Sequence, residues 1–229
     1  MNTLLITLIT SITNLFFQVE IKANSINNQW QILFDGTSTS AWRGVKMETF
    51  PYNGWKVQDG VLTVIKGTSI EDIITRDKFA DFELIIEFKV TSNANSGVKY
   101  YVLEDDYEDG QALGLEFQIR DDTKFKGDLS NNNHKLASLY DLMPSGDTNP
   151  NPVGEWNELR IVSKDKNVEH WLNGEMVLSY ERGGTRFKEG IATSKFKKYE
   201  NFGEAKSGHI MLQDHQDEVS YRNIRIRKI

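Results

Sequence analysis

A strict alternation of apolar and polar side chains, interrupted by glycine-containing turn dipeptides, most restricts how this chain can fold. Residues 82–90 read Phe-Glu-Leu-Ile-Ile-Glu-Phe-Lys-Val, with an apolar residue at every even-numbered position. Successive side chains of a strand point to opposite faces of its sheet, so this stretch predicts a strand with one buried face. Asp59-Gly60 and Asn173-Gly174 each separate two short strand-like runs, and both dipeptides favour the positive φ angles of a type I′ hairpin turn. The sequence therefore predicts antiparallel strands joined by tight turns.

Short runs of this kind follow one another along the chain without a helix–strand alternation, a linker or an internal repeat. A chain of 229 residues can form one large domain, and all-β sandwiches often reach this size as one unit. We therefore predict an all-β fold of two packed antiparallel sheets in a single domain over residues 24–229. The polar stretch 124–152 predicts a long loop, anchored to the sandwich by the apolar segment 137–142 in its middle.

The net charge of the chain restricts its ligands. It is −6, whereas binding to nucleic acids depends on basic patches that neutralise phosphates. Neutral ligands such as sugars fit better, and we expect no nucleic-acid partner. The sequence contains no cysteine, so neither a disulfide framework nor a lipid-anchored cysteine is available.

The first residues of the chain predict export. Residues 4–17 are largely apolar, in a run too short to span a bilayer comfortably but suited to the core of a signal peptide. We expect a signal peptide over residues 1–23, a mature protein without a membrane span, and a periplasmic or extracellular location. The alternative is a buried N-terminal strand or helix.

The stretch Gly208-His-Ile-Met-Leu-Gln-Asp-His215 concentrates polar groups at the end of a predicted strand. Polar groups at strand ends, beside loops, often form functional sites. Asp214 and His215 follow where the strand ends, and His209 is either a groove residue or a neutral core histidine. Alternation separates the strand into an inward pair, Ile210 and Leu212, and an outward set, His209, Met211 and Gln213.

The stretch 112–120 also places polar groups on one face, and these include Glu116 and Gln118. On its own this pattern is typical of a solvent-facing strand. Asn95-Ser-Gly97 is explained by a tight connection, in which Asn and Gly tolerate unusual backbone angles. An acidic run, Glu104-Asp-Asp-Tyr-Glu108, has the spacing of the carboxylates of retaining glucanases. That arrangement would bury Asp105, so we interpret the run as an exposed acidic turn.

Seven motifs of the chain, taken in order, resemble the 3-keto-disaccharide hydrolase domain family, and the resemblance spans roughly residues 28 to 229. It implies a concanavalin A-like jelly roll of the lectin and glucanase type, with a binding groove on the concave sheet. The motifs are Leu33-Phe-Asp-Gly36, Trp55-Lys-Val-Gln-Asp-Gly-Val-Leu62, Asp81-Phe-Glu-Leu84, Asn95-Ser-Gly97, Gly154-Glu-Trp-Asn157, Glu169-His-Trp-Leu-Asn-Gly174 and Leu212-Gln-Asp-His215.

The resemblance implies which residues form the site. Glu116 and Gln118 resemble the pair that lines the family's groove, and Asn95 would border the pocket. Lys99 would point inward together with Tyr100 or Tyr101, depending on the register of the strand. The remaining candidates are Gln213, Asp214, His215, His134 and Tyr140, whereas His170 fits a structural role better.

The resemblance also implies the chemistry. The substrate would be a glycoside whose C3 hydroxyl a separate sugar 3-dehydrogenase has oxidised to a ketone. A base would then remove the C2 proton, the C1 group would leave, and addition of water would complete a net hydrolysis. His215 is the first candidate for base or acid, oriented by Asp214 or Glu116, and Gln118, Asn95 and Tyr140 would bind hydroxyls or the oxyanion. Alternatively His134, His215, Asp214 and Glu116 would hold a divalent metal.

Two other classes of protein remain open, because one fold can serve several functions. A non-catalytic lectin-like module would present Trp42, Trp55 or Trp156 to a sugar, although their sequence settings favour core positions. A structural or adhesion protein is the third possibility.

Overall fold

The computed structural model describes residues 29–68, 70–108, 111–124 and 132–229. The expected signal peptide over residues 1–23 lies outside these residues, so export stays a prediction. In the described part of the chain, no helix has the length and apolar character needed to cross a membrane.

Two antiparallel sheets form the described molecule, as predicted. The larger sheet contains β1 (Gln31–Phe34), β3 (Trp55–Gln58), β4 (Val61–Val64), β6 (Phe82–Val90), β9 (Asn157–Lys164), β10 (Asn167–Leu172), β11 (Glu175–Glu181) and β13 (Val219–Lys228). Its order is β11-β10-β9-β6-β13-β4-β3, with β1 also paired to β13. The smaller sheet contains β2 (Trp42–Gly44), β5 (Ile73–Thr75), β7 (Asn95–Glu108), β8 (Gln111–Arg120) and β12 (His209–Leu212), in the order β2-β5-β12-β7-β8.

The two predicted hairpins are confirmed. Asp59 and Gly60 have φ angles of 52° and 78° and join β3 to β4. Asn173 and Gly174 have φ angles of 50° and 84° and join β10 to β11. Both pairs adopt the left-handed region that a type I′ turn requires.

The core lies between the two sheets and follows the predicted alternation. The apolar side chains at the even-numbered positions of β6 are buried there, and the outward Glu83 forms ion pairs with Arg160 and Arg227. Trp42 and Trp55 are fully buried, which confirms their predicted core positions. The predicted core position of Trp156 is wrong, because this residue is only partly buried and the side chains of Lys89 and Arg222 lie over its ring.

A bulge in β7 decides which side chains of this strand face the groove. The pairing of β7 with β8 shifts register after Tyr100, and Tyr101 has a φ of 57°. As a result both Tyr100 and Tyr101 pack into the core between the sheets, whereas Lys99 lies on the groove side. The predicted acidic turn at residues 104–108 is wrong, because β7 continues through this stretch and Glu104 pairs with Arg43.

The predicted anchored loop is present in the described residues 132–152. Residues 136–139, 142 and 143 of this loop are buried, and Leu139 pairs with Phe117 on the outer side of β8. The Gln118 amide donates to the Ser138 carbonyl at 3.1 Å, and the Tyr140 amide donates to the Glu116 carbonyl at 3.0 Å. The loop therefore forms a wall beside the polar face of β8.

A short helix that the sequence pattern did not predict, α1 (Thr185–Thr193), follows β11. The segment after it, residues 194–208, returns to β12 across the smaller sheet. The Arg182 guanidinium, stacked 3.6 Å from the centroid of the Tyr101 ring, donates to the carbonyls of Gly203 and Ala205. This segment forms a second wall over the groove.

Candidate active site

Most of the predicted site residues meet in one small cavity on the smaller sheet, with a volume of about 60 Å³. Strands β7 and β8 form its floor, and the end of β12 forms one side. The loop of residues 132–152 and the segment of residues 194–208 are the two walls that form the other sides. The lining consists of Asn95, Lys99, Leu113, Gly114, Glu116, Gln118, Tyr140, Lys195, Phe196, Gln213 and His215. Of the predicted residues, Asp214 and His134 do not line it.

Glu116 is the most perturbed group in the cavity. Its side chain lies over Gly97 on the neighbouring strand, where a β-carbon would collide with the carboxylate. Burial raises the pKa of Glu116 to about 7, against the opposing effect of Lys99 and Lys195, and with a smaller contribution from Asp72. None of the described residues donates a hydrogen bond to its carboxylate. The group is therefore free to accept a proton from a ligand near neutral pH.

Two lysines make this end of the groove cationic. Lys99 faces Glu116 across the β7–β8 pair, is almost fully buried, and donates from Nζ to the Ala112 carbonyl at 3.1 Å. The Nζ atom of Lys195 lies 4.5 Å from the centroid of the Tyr140 ring. Sequence reasoning missed Lys195, because it lies in a basic stretch after α1 that no alternation connects to the groove.

His134 supports the cavity from outside. Its ring stacks on Tyr140 at 4.6 Å between centroids, and its Nε2 lies 2.8 Å from Asp141 Oδ1. The other Asp141 oxygen accepts the backbone N–H of Lys195 at 2.8 Å. His134 therefore helps to position Tyr140 and Lys195, and the structure does not place it where it could contact a ligand in the cavity. The pKa of Tyr140 is raised by burial and by the nearby Glu116 and Asp141.

Amide side chains form the polar end of the cavity. Gln118 Nε2 donates to Asn95 Oδ1 at 2.8 Å, so each amide fixes the orientation of the other. The Gln213 backbone N–H donates to the Gly97 carbonyl at 3.0 Å, and this bond holds the end of β12 against β7. The arrangement offers hydrogen-bonding groups suited to sugar hydroxyls.

Asp214 is structural in its contacts, contrary to expectation. It is 1% exposed, and its carboxylate oxygens accept the backbone N–H groups of Glu71 and Gln216. Burial raises its pKa, which these two hydrogen bonds oppose. Asp214 thereby shapes the turn that presents His215, whose side chain is exposed at the cavity mouth.

The four residues considered for a metal are not brought together, because Asp214 and His134 use their side chains elsewhere. Across the described ranges, no group of three or more histidine or acidic side chains is arranged to hold a metal ion. The cavity instead combines one carboxyl group with two ammonium groups and an imidazole.

The other two histidines are buried. His170 donates from Nδ1 to the Ala137 carbonyl at 2.9 Å and faces the Tyr100 hydroxyl with Nε2 at 2.8 Å. Burial lowers its pKa to about 4, and its structural role agrees with the prediction. His209 lies with Nδ1 2.7 Å from the Thr75 carbonyl, and burial lowers its pKa as well. It is therefore a buried histidine that does not line the cavity.

Known proteins resemble this chain in sequence and architecture. A family model described as a 3-keto-alpha-glucoside-1,2-lyase-like domain matches residues 29–227. A Bacteroides thetaiotaomicron protein named 3-keto-disaccharide hydrolase is 32% identical in an alignment that covers 85% of this chain and 77% of the relative.

Solved structures show the same fold. A crystal structure of a candidate glycosyl hydrolase from Parabacteroides distasonis ATCC 8503 aligns with a TM-score of 0.77 at 28% identity, covering 87% of this chain and 94% of that one. A protein with a galectin-like fold from Bacillus subtilis aligns with a TM-score of 0.53 at 13% identity over 87% of this chain and 98% of its own. This second likeness concerns the fold alone and agrees with the predicted jelly roll. Since the family match spans nearly the whole described chain and a relative is named as a hydrolase, this glycoside-cleaving enzyme belongs to the 3-keto-alpha-glucoside-1,2-lyase-like domain family.

Proposed function

We propose that this enzyme cleaves glycosides whose C3 hydroxyl has already been oxidised to a ketone, and that it eliminates the C1 group instead of displacing it. The observation that carries the proposal is a buried carboxyl group, Glu116, with a pKa of about 7 beside two lysines. The name of the Bacteroides relative and the 1,2-lyase description of the family support the substrate and the bond.

Proton abstraction is the first step. A ketone at C3 makes the C2 proton acidic, so a carboxylate with a raised pKa is a suitable base. Glu116 fits this role better than His215, the first candidate from the sequence, because Glu116 is buried and its carboxylate accepts no hydrogen bond from the described residues. The C2 proton passes to Glu116, and the electron pair moves onto the C3 oxygen as an enolate.

The enolate needs a positive environment. Lys99 and Lys195 both lower the pKa of Glu116, so their charges act on the space beside its carboxylate. Fixed positive groups in a partly buried site stabilise developing negative charge strongly, because they need not reorganise during the reaction. We assign the stabilisation of the C3 oxygen to these two ammonium groups.

Departure of the C1 oxygen completes the cleavage. His215, at the mouth of the cavity, would protonate the leaving oxygen as the enolate collapses to an enone. Gln118, Asn95 and Gln213 would hold the hydroxyls of the ring. Water then adds to C1 while C2 regains a proton, so the net reaction is hydrolysis. The ketone itself must come from a separate oxidation of the sugar, which we assign to a sugar 3-dehydrogenase.

The decisive experiment is turnover in D2O of a 3-keto-disaccharide beside its unoxidised parent. We expect cleavage of the keto substrate only, with deuterium at C2 of the released 3-keto sugar. Unlabelled product incubated without enzyme controls for spontaneous exchange. Cleavage without C2 label, or equal cleavage of the parent, would exclude elimination.

The Glu116→Gln variant tests the base. We expect kcat/KM to fall roughly 100- to 10,000-fold, the usual contribution of a positioned base. In the wild type, kcat/KM should increase with pH through about 7, since Glu116 must lose its proton first. Glu204→Gln, an exposed glutamate in the second wall, is the matched control.

A further inference from the structure

A second cavity adjoins the candidate site on the same face of the smaller sheet. Its volume is about 330 Å³, compared with about 60 Å³ for the first. Pockets that enclose a ligand usually measure roughly 300–1,000 Å³, so the second cavity is large enough for a ligand group, whereas the first is too small to enclose a whole disaccharide by itself. The proposed mechanism uses none of the residues that belong to the second cavity alone.

The two cavities meet at Leu113 and Gly114, which line both. Gly114 has no side chain to separate them, and a β-carbon at this position would lie only 2.7 Å from Cγ2 of Val102. That distance is too short for real side chains, so a larger residue would force the strand floor to shift. Glycine thus keeps the floor flat where a ligand would pass from one cavity to the other.

The second wall, residues 194–208, covers both cavities. Lys195 and Phe196 face the first cavity, and residues 198–203 face the second. The wall is held at one end by Asp141, which accepts the Lys195 amide, and at the other by Arg182, which binds the carbonyls of Gly203 and Ala205. A ligand in the first cavity can therefore continue under the same wall into the second.

The two cavities differ in charge. Lys99 and Lys195 face the first, whereas Asp105 and Glu200 face the second, where Lys198 is the basic side chain of the lining. Tyr199 and Asn201 add an aromatic ring and an amide. Aromatic rings and neutral or acidic hydrogen-bonding groups suit the apolar faces and hydroxyls of an uncharged sugar.

From these observations we infer that the second cavity binds the group that leaves from C1, and that this group is a neutral, hydroxyl-rich moiety such as a second sugar ring. The inference rests on the proposed function, which places the 3-keto ring over Glu116 in the first cavity. It assigns the larger cavity to the half of the substrate that carries no reacting carbon.

The experiment compares two substrates, a 3-keto-disaccharide and the methyl 3-keto-glycoside of the same ring, whose leaving group cannot reach the second cavity. In Glu200→Trp, an indole would fill space at the rim of this cavity. We expect the ratio of the two kcat/KM values, disaccharide over methyl glycoside, to fall about tenfold or more, the loss of contacts worth about 1.4 kcal/mol. Glu204→Trp, the same exchange at an exposed position outside the cavity, should leave the ratio at its wild-type value.

Tyr199→Ala provides an independent variant, because it removes a ring from the cavity instead of filling space. It should also lower the ratio. If both variants keep the wild-type ratio, the second cavity does not bind the leaving group. If the wild type converts neither keto substrate, the proposed function itself fails. The two failures are therefore distinguishable.

Discussion

At the residue scale, the reactivity of Glu116 depends on its two lysine neighbours. Lys195→Met removes one charge that holds the pKa of Glu116 down, so we expect the pH at which kcat/KM is half-maximal to rise above the wild-type value of about 7. Loss of the enolate partner should also lower kcat by roughly 10- to 1,000-fold. The measurement is a pH–rate profile on a 3-keto-disaccharide.

Lys197→Met is the control for this substitution, since Lys197 is exposed in the same basic stretch and does not line the cavity. An unchanged pH profile in Lys195→Met would show that the lysine does not act on Glu116.

His215 can be tested as an acid through the leaving group. We expect His215→Ala to keep the wild-type unfolding midpoint, because the side chain is exposed, and to lose turnover of a 3-keto-disaccharide. A 3-keto aryl glycoside with an acidic phenol as leaving group needs no proton at the departing oxygen. Turnover of that substrate should therefore be largely retained. Equal losses on both substrates would argue against a role as the leaving-group acid.

At the element scale, His170 connects the loop wall to both sheets. Its Nδ1 donates to Ala137 in the loop, while Nε2 faces Tyr100 of β7, whose hydroxyl lies 2.6 Å from that of Tyr180 of β11. His170→Leu leaves the buried Ala137 carbonyl and Tyr100 hydroxyl without this partner. We expect a loss of about 2–5 kcal/mol in unfolding free energy.

Urea unfolding measures that loss, and amide hydrogen exchange should show faster exchange at residues 137–141. Tyr180→Phe, which removes the Tyr–Tyr bond but leaves the Ala137 contact, should not increase exchange in the loop. A loop that stays protected in His170→Leu would mean that other contacts hold it.

Features whose conformation depends on residues close together in the sequence could be predicted. Features that depend on contacts between distant segments could not. The hairpin at Asn173-Gly174 and the faces of β6 follow from backbone preference and alternation. Glu116 was found through its strand and a family motif. Asp214 lies in a motif too, but backbone amides from a distant loop and its own turn occupy its carboxylate. Lys195 enters the cavity only because α1 and Asp141 direct its segment there, and no local pattern records such a contact.

At the scale of the whole molecule, two buried groups give stability opposite dependences on pH. Burial raises the pKa of Glu116 from 4.5 to about 7, so its contribution to stability is lost as pH rises through that range. Burial lowers the pKa of His170 from 6.5 to about 4, so its contribution is lost as pH falls through that range. Each effect is on the order of 3 kcal/mol at its limit, and in the wild type they oppose each other.

Removing either group should reveal the pH dependence of stability that the other group causes. We expect the unfolding free energy of Glu116→Gln to increase with pH between 4 and 6.5, and that of His170→Leu to decrease with pH between 4.5 and 7. Urea unfolding at several pH values checks both slopes. Parallel curves for the wild type and both variants would show that neither group titrates differently on folding.

The loop that forms a wall of the cavity also covers a sheet edge that could otherwise pair with another copy of the chain. β8 lies at one end of the smaller sheet, where a strand with free amides and carbonyls would be a template for pairing with another chain. Residues 137–140 occupy that side of β8 with backbone hydrogen bonds to Glu116 and Gln118. The segment that shapes the substrate site therefore also caps an aggregation-prone edge. Shortening this segment to enlarge the site would give ligands more access, but it would expose the edge of β8 and lower the solubility of the protein.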